Sequence, residues 1–290
     1  MKQSSLSILI LTKNRADLLK RCLDSLTGQL GHNDEIIVID NDSHDNTWAL
    51  LAKYKQIIPV KPYKTDIRGY SQLYNFAIRK SNKKVLVFFD DDCVASKNYI
   101  DSIRIMHRLN PGILVQGNTF SIPKNNVYAQ IMGDHYRNWL TINHCSKNEM
   151  KTFDNKNAFI EKSILQHYGF FSELFRGGSE DIELGQRLRQ RGIKILFCKN
   201  MVAYHHERTT LKDFLRQHYR IARSERLITK EYLGTFHFGL VEKKFALHTR
   251  SAASRWMLYM RQKNYSDGIK MICAYVGLVF VRLFAYCKPL

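Results

Sequence analysis

Two hydrophobic periods take turns along the first third of this chain. Residues 6–11 form an apolar run of the β type, and residues 16–30 place Leu18, Leu19, Cys22, Leu23 and Leu26 at helical spacing. Residues 35–40 (EIIVID) make a second strand and residues 46–54 a second helix, while residues 57–61 are a weaker third strand. Leu73, Phe76 and Ala77 mark a helix over residues 69–79, and residues 84–89 a fourth strand. Strands alternating with helices predict right-handed βαβ units and a parallel sheet. The run Val85-Leu86-Val87-Phe88-Phe89 is apolar at every position, as a strand covered on both faces must be.

The pattern turns irregular from about Asn118, with strands expected over residues 114–118 and 157–161. A helix should open at Ser179, which suits the N-cap position, run through Ile182, Leu184 and Leu188 to Arg191, and stop at Gly192. Short strands follow over residues 193–198 and 201–204, and helix dominates after Thr210. The chain therefore reads as an α/β part, residues 1–208, and a mainly helical region, residues 209–290. Near its end, residues 271–281 are eleven consecutive non-polar positions between Lys270 and Arg282, continued by residues 283–287. A spanning helix needs about 20 mostly apolar residues. Interruption by Arg282 favours an interfacial or re-entrant membrane segment over a buried core helix, and either over a true span.

Composition narrows the class. At 44% hydrophobic and 24% charged, 290 residues suffice for one large domain with a core, or for a domain plus an appendage. The six cysteines are scattered without a CxxC pair, which predicts neither a zinc site nor a disulfide framework and fits a reducing cytosol. The short polar stretch before the first strand does not read as a secretory signal. The formal net charge is +19, and residues 209–290 hold 15 Lys/Arg against 5 Asp/Glu, a net of +10. Nucleic acid, anionic lipid or an anionic substrate would answer such a charge. No helix-turn-helix, zinc-finger or RNP pattern occurs, so nucleic acid is not expected.

Carboxylates mark the candidate chemistry. Asp90, Asp91 and Asp92 stand where the run 85–89 stops, at a strand's carboxyl end, where ligands of open α/β sheets gather. Three crowded negative charges repel one another, and a divalent cation that prefers oxygen, magnesium or manganese, relieves them. The segment thus reads as a site for a metal-chelated phosphate or, more plainly, as a solvated turn. A second acidic cluster, Asp40-Asn41-Asp42-Ser43, closes the second strand; Asn155-Lys156-Asn157-Ala158-Phe159 and Gly177-Gly178-Ser179-Glu180-Asp181 extend the series. Each has a simpler explanation. Asp42, Ser43 and Asp45 can cap the helix near Asn46, Glu180 and Asp181 can stabilise their own helix dipole by about 0.3–1 kcal/mol, and His205-His206 can be a solvated strand end. None of these explains the order in which the segments occur.

In that order, Thr12-x-Asn14-Arg15, EIIVIDNDS, Gly69…Asn75, FFDDD, NKNAF…GFF, GGSEDIELGQRLRQRG and AYHH resemble the inverting family-two glycosyltransferases of the GT-A fold, over roughly residues 5–208. The resemblance implies a Rossmann-like α/β fold with a mostly parallel central sheet flanked by helices, here with a C-terminal helical extension. It implies a UDP- or dTDP-sugar donor, UDP ahead of dTDP, with Mn2+ or Mg2+. Asp40 matches the aspartate that accepts from N3–H of uracil or thymine; a carboxylate only accepts, so it refuses the cytosine edge. Thr12, Asn14, Arg15, Asp42 and Gly69 fall at nucleotide- and donor-binding positions. Asp90 and Asp92 match the DxD pair, with Asp92 the main metal ligand, Asp90 at the ribose or the metal's water shell, and Asp91 the spacer that supports the loop. His205 resembles a histidine that closes the metal or diphosphate site, a role for which His206 is an equal chemical candidate. Asp181 matches the base that takes the acceptor's proton. Glu180 then holds a neighbouring loop or an acceptor hydroxyl, Asn157 walls the donor sugar or acceptor, and Arg189 supports the acceptor side.

Several positions depart from the family's habit. Leu11 replaces a frequent proline, Lys13 an aromatic, and Tyr74 an arginine, all bearing on nucleotide contacts. Gln190 stands where processive synthases carry a tryptophan, so one sugar per encounter is expected; Arg187 and Arg189 can equally be a solvated helix face. The expected acceptor is a glycan, lipid-linked or otherwise membrane-presented, with a small soluble acceptor still open. The expected place is the cytoplasmic face of the membrane, in cell-surface glycan or glycolipid synthesis. Two rivals remain. A nucleotidyltransferase needs a basic, glycine-rich phosphate loop, and residues 11–15 hold Lys13 and Arg15 but no glycine. A non-enzymatic module that docks its basic region on an anionic surface leaves the acidic series unexplained.

Overall fold

The computed structural model describes residues 4–122, 125–146, 148–228 and 251–287. In chain order the elements are β1 (Leu6–Thr12), α1 (Ala16–Leu26), β2 (Glu35–Asp40), α2 (Thr47–Tyr54), β3 (Val60–Lys64), α3 (Tyr70–Lys80), β4 (Val85–Phe89), β5 (Cys93–Ala95) and α4 (Tyr99–Leu109). There follow β6 (Leu114–Ser121), α5 (Val127–Asn143), β7 (Asn157–Glu161), α6 (Lys162–Tyr168), α7 (Glu180–Gln190), β8 (Ile195–His205) and α8 (Leu211–Ile228). Residues 251–261 are helical (α9), and α10 is Tyr265–Cys287. The described residues fall into two compact units, one within Met1–Phe120, His144–Arg176 and Glu180–His205, the other within Ser121–Asn143, Gly177–Ser179 and His206–Leu290.

The first unit is built on a sheet of order β3-β2-β1-β4-β7-β6-β8-β5. Its β3-β2-β1-β4 half is parallel, as the alternating pattern predicts, whereas β7 pairs antiparallel to both β4 and β6, and β5 antiparallel to β8. Every residue of β2 and β4 is buried. One core cluster takes Leu19, Cys22, Leu23 and Leu26 of α1, Leu51 and Tyr54 of α2, and Tyr99, Ile100 and Ile103 of α4. Leu73, Tyr74, Ala77 and Ile78 of α3 are buried, and the Phe88 ring meets those of Tyr74, Phe153 and Phe171. Burying one such side chain contributes about 1.5–3 kcal/mol, so these strands form a stiff base for the loops at their ends.

Boundaries move where local chemistry outweighs the period. The third strand lies three residues later than expected, because Ile57 and Ile58 close α2, both N–H groups donating to the Tyr54 carbonyl at 2.9 and 3.0 Å. It also contains Pro62, tolerated because β3 is an outermost strand and one of its sides needs no ladder donor. The two short strands expected over 193–204 are one, β8, whose exposed Lys199 and Asn200 imitate a break.

In the second unit, Val127, Ile131 and Met132 of α5, Phe214 of α8, Tyr259 of α9, and Met271, Ala274 and Leu278 of α10 form a separate apolar cluster. Arg255 donates through Nε to Asp134 at 2.7 Å. Arg282 does not interrupt α10; its guanidinium lies 3.6 Å from Glu225 of α8. Residues Tyr265–Ala285 are long and apolar enough, by length and composition, to cross a bilayer.

Candidate active site

The acidic series converges at the carboxyl ends of β1, β2 and β4. Thr12 ends β1 in register with Asp40, which ends β2. Thr12 Oγ1 donates to Asp91 Oδ2 at 2.7 Å, and Arg15 Nη1 donates to Asp91 Oδ1 at 2.9 Å and Asp92 Oδ2 at 3.1 Å. Both oxygens of Asp91 are thus committed to the loop. Burial and the neighbouring Asp92 charge nevertheless raise its carboxyl above the usual range.

Asp90, Asp92 and His205 each bring one ligating atom within 4.8 Å of the others. The register Cys93↔His205 carries the histidine there, and its Nε2 lies 3.2 Å from Asp92 Oδ1. The imidazole of this cluster is that of His205 rather than His206. Burial and the Asp92 charge push Asp90 up to about 7. Two crowded carboxylates with one imidazole suit a divalent cation of the manganese or magnesium kind, whose charge would relieve that repulsion. The residues present therefore fit the expected metal.

Asp40 is fully buried. Its Oδ1 accepts from Ser43 N–H at 3.0 Å, while Oδ2 has no hydrogen-bond partner among the described residues. The loop beside it is held in unusual backbone states. Asn14 (φ 52°) and Asp42 (φ 55°) are left-handed, which non-glycine residues enter at a cost and which clusters at functional loops. Asn14 N–H donates to Ser43 Oγ at 2.8 Å, and its Oδ1 accepts from His44 N–H at 2.7 Å. Asp42 points to Lys64 and His44, at 3.3 and 3.6 Å. The capping expected here falls to Asp45, which accepts from Ala16 N–H and Thr47 N–H, both at 3.0 Å, and so holds the starts of α1 and α2 together. Gly69 (φ 113°) opens α3; a Cβ there would sit 2.2 Å from Gln72 Oε1 and 3.3 Å from Arg176 Cβ.

Glu180 and Asp181 begin α7. Asp181 accepts from Ile182 N–H at 2.8 Å and Asn155 N–H at 3.3 Å; burial, then the Asp154 charge, lift it to about 7. Glu180 Oε1 accepts from Asn155 Nδ2 at 3.1 Å. Glu180 Oε2 and Asn155 Oδ1 are buried without a hydrogen-bond partner among the described residues. Burial and then Asp181 push Glu180 to about 8. Tyr74 links the two acidic groups. Its hydroxyl donates to Asp90 Oδ1 at 3.3 Å, and burial, then Asp90, Glu180 and Asp181, keep it protonated well above the usual range. Lys156, 2.8 Å from Asp154, opposes the rise at both Asp90 and Asp181.

Some expected residues do not join this group. Asn157 is fully buried, with Oδ1 accepting from Tyr99 and Nδ2 donating to the carbonyls of Asn118 and Met201, so its amide fastens strands instead of lining a wall. Arg189 is exposed and donates only weakly, to the Lys151 carbonyl at 3.4 Å. Arg187 is no solvated face: it donates to the carbonyls of Tyr168, Gly169 and Phe170 and pairs with Glu183 at 2.7 Å. Ser179 has φ 64°, far from the extended backbone of an ordinary N-cap. Conversely, Asn155 and Tyr74 join the acidic group although no role for either is expected from the sequence. Asn155 belongs to the segment Asn155-Lys156-Asn157-Ala158-Phe159, and the signal at Tyr74 is its departure from the family's arginine.

Residues 7–169, more than half of the chain, match the glycosyl transferase family 2 profile, and the chain belongs to that family. The O-antigen biosynthesis protein RfbC of Myxococcus xanthus is 22% identical over 230 residues, 69% of this chain and 17% of that protein. The mannosyltransferase PcManGT of Pyrobaculum calidifontis, solved in complex with GDP-Man and Mn2+, superposes with a TM-score of 0.63 at 13% identity, covering 98% of this chain and 88% of that one. S. aureus TarS 1–349, solved in complex with UDP-GlcNAc, gives a TM-score of 0.56 at 14% identity, over 75% of this chain and 65% of that one. These likenesses show the GT-A fold.

Proposed function

We propose that this chain transfers one sugar per encounter from a UDP-sugar to an acceptor hydroxyl, with inversion, in glycan synthesis. The observation that carries the reading is a division of labour among carboxylates. Asp90 and Asp92 meet His205 in a donor set suited to a divalent ion, while Asp181 stands apart from that set with its carboxyl raised toward neutrality. Asp181 receives the proton of the acceptor hydroxyl, the acceptor oxygen bonds to the anomeric carbon, and the bond from that carbon to the diphosphate oxygen breaks, releasing UDP. Asp90, Asp92 and His205 would hold a Mn2+ or Mg2+ ion, which would supply Lewis-acid neutralisation of the diphosphate. Glu180 and Asn155 offer their unpartnered oxygens to sugar hydroxyls.

Asp40 supports uracil. With Oδ1 engaged by Ser43, the residue has one free oxygen, enough for a single N–H such as uracil N3–H. Guanine presents N1–H and N2–H side by side and needs two acceptors, and cytosine N3 presents none. Thr12, Asn14, Arg15, Asp42 and Gly69 shape the loops around the nucleotide, and Asp91 braces them. The catalytic machinery lies within residues 1–208. Residues 209–290, with their net +10, meet an anionic membrane at its cytoplasmic face, where a lipid-linked glycan would be presented.

The test is product analysis with a panel of nucleotide sugars and Mn2+. UDP release with an inverted anomer by NMR is expected, and Asp92→Ala and Asp181→Asn should both lose it. If both variants turn over donor like the parent, the roles assigned here fail. Pyrophosphate release would select nucleotidyl transfer instead.

A further inference from the structure

We infer that α10 lies in the plane of an anionic bilayer, with one face in a single leaflet and the other on its own unit, and does not cross the membrane. This rests on the membrane contact proposed above and specifies its face and depth; sugar transfer does not enter it.

The two faces of α10 differ. Met271, Ala274 and Leu278 are buried against Ile131, Phe214 and Tyr259. Gly277 lets the helix approach closely, since a Cβ there would meet Leu215 Cδ2 at 3.0 Å, and Arg282 pairs with Glu225. The opposite face presents Ile269, Ile272, Val276, Val279, Phe280 and Leu283, between 44% and 68% exposed. Steps of three and four residues put these on one stripe about 21 Å long, at 1.5 Å per residue. No charged residue occurs between Lys270 and Arg282, so the stripe is unbroken. Soluble monomers rarely expose a continuous apolar patch of this kind.

A spanning placement conflicts with the inner face. α8 packs along α10 and carries Lys212, Asp213, Arg216, Arg220, Arg223, Glu225 and Arg226. Crossing the bilayer with these contacts intact would draw that charge into hydrocarbon, and giving them up would strand Arg282 without Glu225. An in-plane placement keeps both, since an apolar helix face settles about 5–10 Å into the boundary of headgroups and acyl chains. Charge decides between the remaining occupants. A second copy would bring two regions of net +10 together, whereas anionic headgroups complement them.

The experiment is vesicle flotation of the full chain with phosphatidylcholine vesicles and with vesicles containing 30% phosphatidylglycerol, followed by carbonate extraction. The parent is expected to float with the anionic vesicles only and to be released by carbonate. The double variant Val276→Ser/Phe280→Ser should lose at least tenfold in partition with an unchanged melting temperature, and Ile269→Ser/Leu283→Ser should do the same. Retention after carbonate would show a span. Undiminished flotation of both folded variants, or a parent dimer that dissociates on substitution without any change in partition, would overturn the inference. UDP release in vesicle-free solution is read in parallel. Flotation without turnover sinks the sugar-transfer reading alone, and turnover without flotation sinks only this one.

Discussion

Asn155 Nδ2 donates to Glu180 Oε1 at 3.1 Å, while Asn155 Oδ1 and Glu180 Oε2 are buried and without a hydrogen-bond partner among the described residues. Unsatisfied buried polar atoms cost about 1–3 kcal/mol each, so the pair is poised for a ligand with hydroxyl groups, which both donate and accept. Asn155→Ala should raise the acceptor KM by about tenfold or more while changing donor affinity little. Steady-state kinetics with acceptor varied at saturating donor checks this; an unchanged acceptor KM would count against it.

Asp181→Asn removes the proton acceptor and keeps the size. It should lower kcat about 10²–10⁴-fold and leave the donor dissociation constant within about twofold of the parent's by calorimetry. A variant that binds donor poorly would instead assign Asp181 to the nucleotide side.

The rate should follow the charge on Asp181. Burial and Asp154 raise its carboxyl to about 7, and only the deprotonated form takes a proton. With Mn2+ and donor saturating, log kcat should therefore climb with unit slope below pH 7 and level off above it. A flat profile from pH 5 to 8 would exclude this base.

Stability should run the other way. Glu180 sits at about 8 because of burial and Asp181, so the folded chain holds a proton that the unfolded chain has released. Raising pH through the window from about 4 to 8 therefore costs stability. Below it both states are protonated and the difference vanishes. Glu180→Gln keeps an acceptor for Asn155 and removes the charge, so its melting temperature should overtake the parent's progressively from pH 5 to 9.

Asp40→Asn exchanges an acceptor for a group that also donates. Affinity for UDP should fall about tenfold to a hundredfold, the worth of one hydrogen bond to a charged group. Affinity for CDP should not fall with it, and titration calorimetry of both nucleotides makes the comparison.

Elements are legible in the sequence where a long hydrophobic period coincides with a packed core. β1, β2, β4 and α3 lie within a residue or two of their expected bounds, because Ile8, Val38, Val87 and Leu73 are buried in the way their spacing requires. β5 is three residues long, too short to show a period, and α5 shows no clear stripe because Asp134 and His135 are buried among its apolar residues. The acidic members of the site were legible because carboxylates at strand ends have few structural uses. Polar amides were not: Asn155 and Asn157 are two residues apart in one motif, yet one faces Glu180 and the other the sheet interior. Only the strand register, with Asn157 opposite Phe89, separates them.

Pro62 in β3 has an effect beyond its own strand. A flanking strand with free N–H and C=O groups is a template for any extended chain it meets, and the strands behind this one are almost wholly apolar. Proline in the middle and Lys61 and Lys64 beside it spoil that template. During synthesis and at high concentration, the sheet is thereby guarded against growing into a neighbour's and forming fibres.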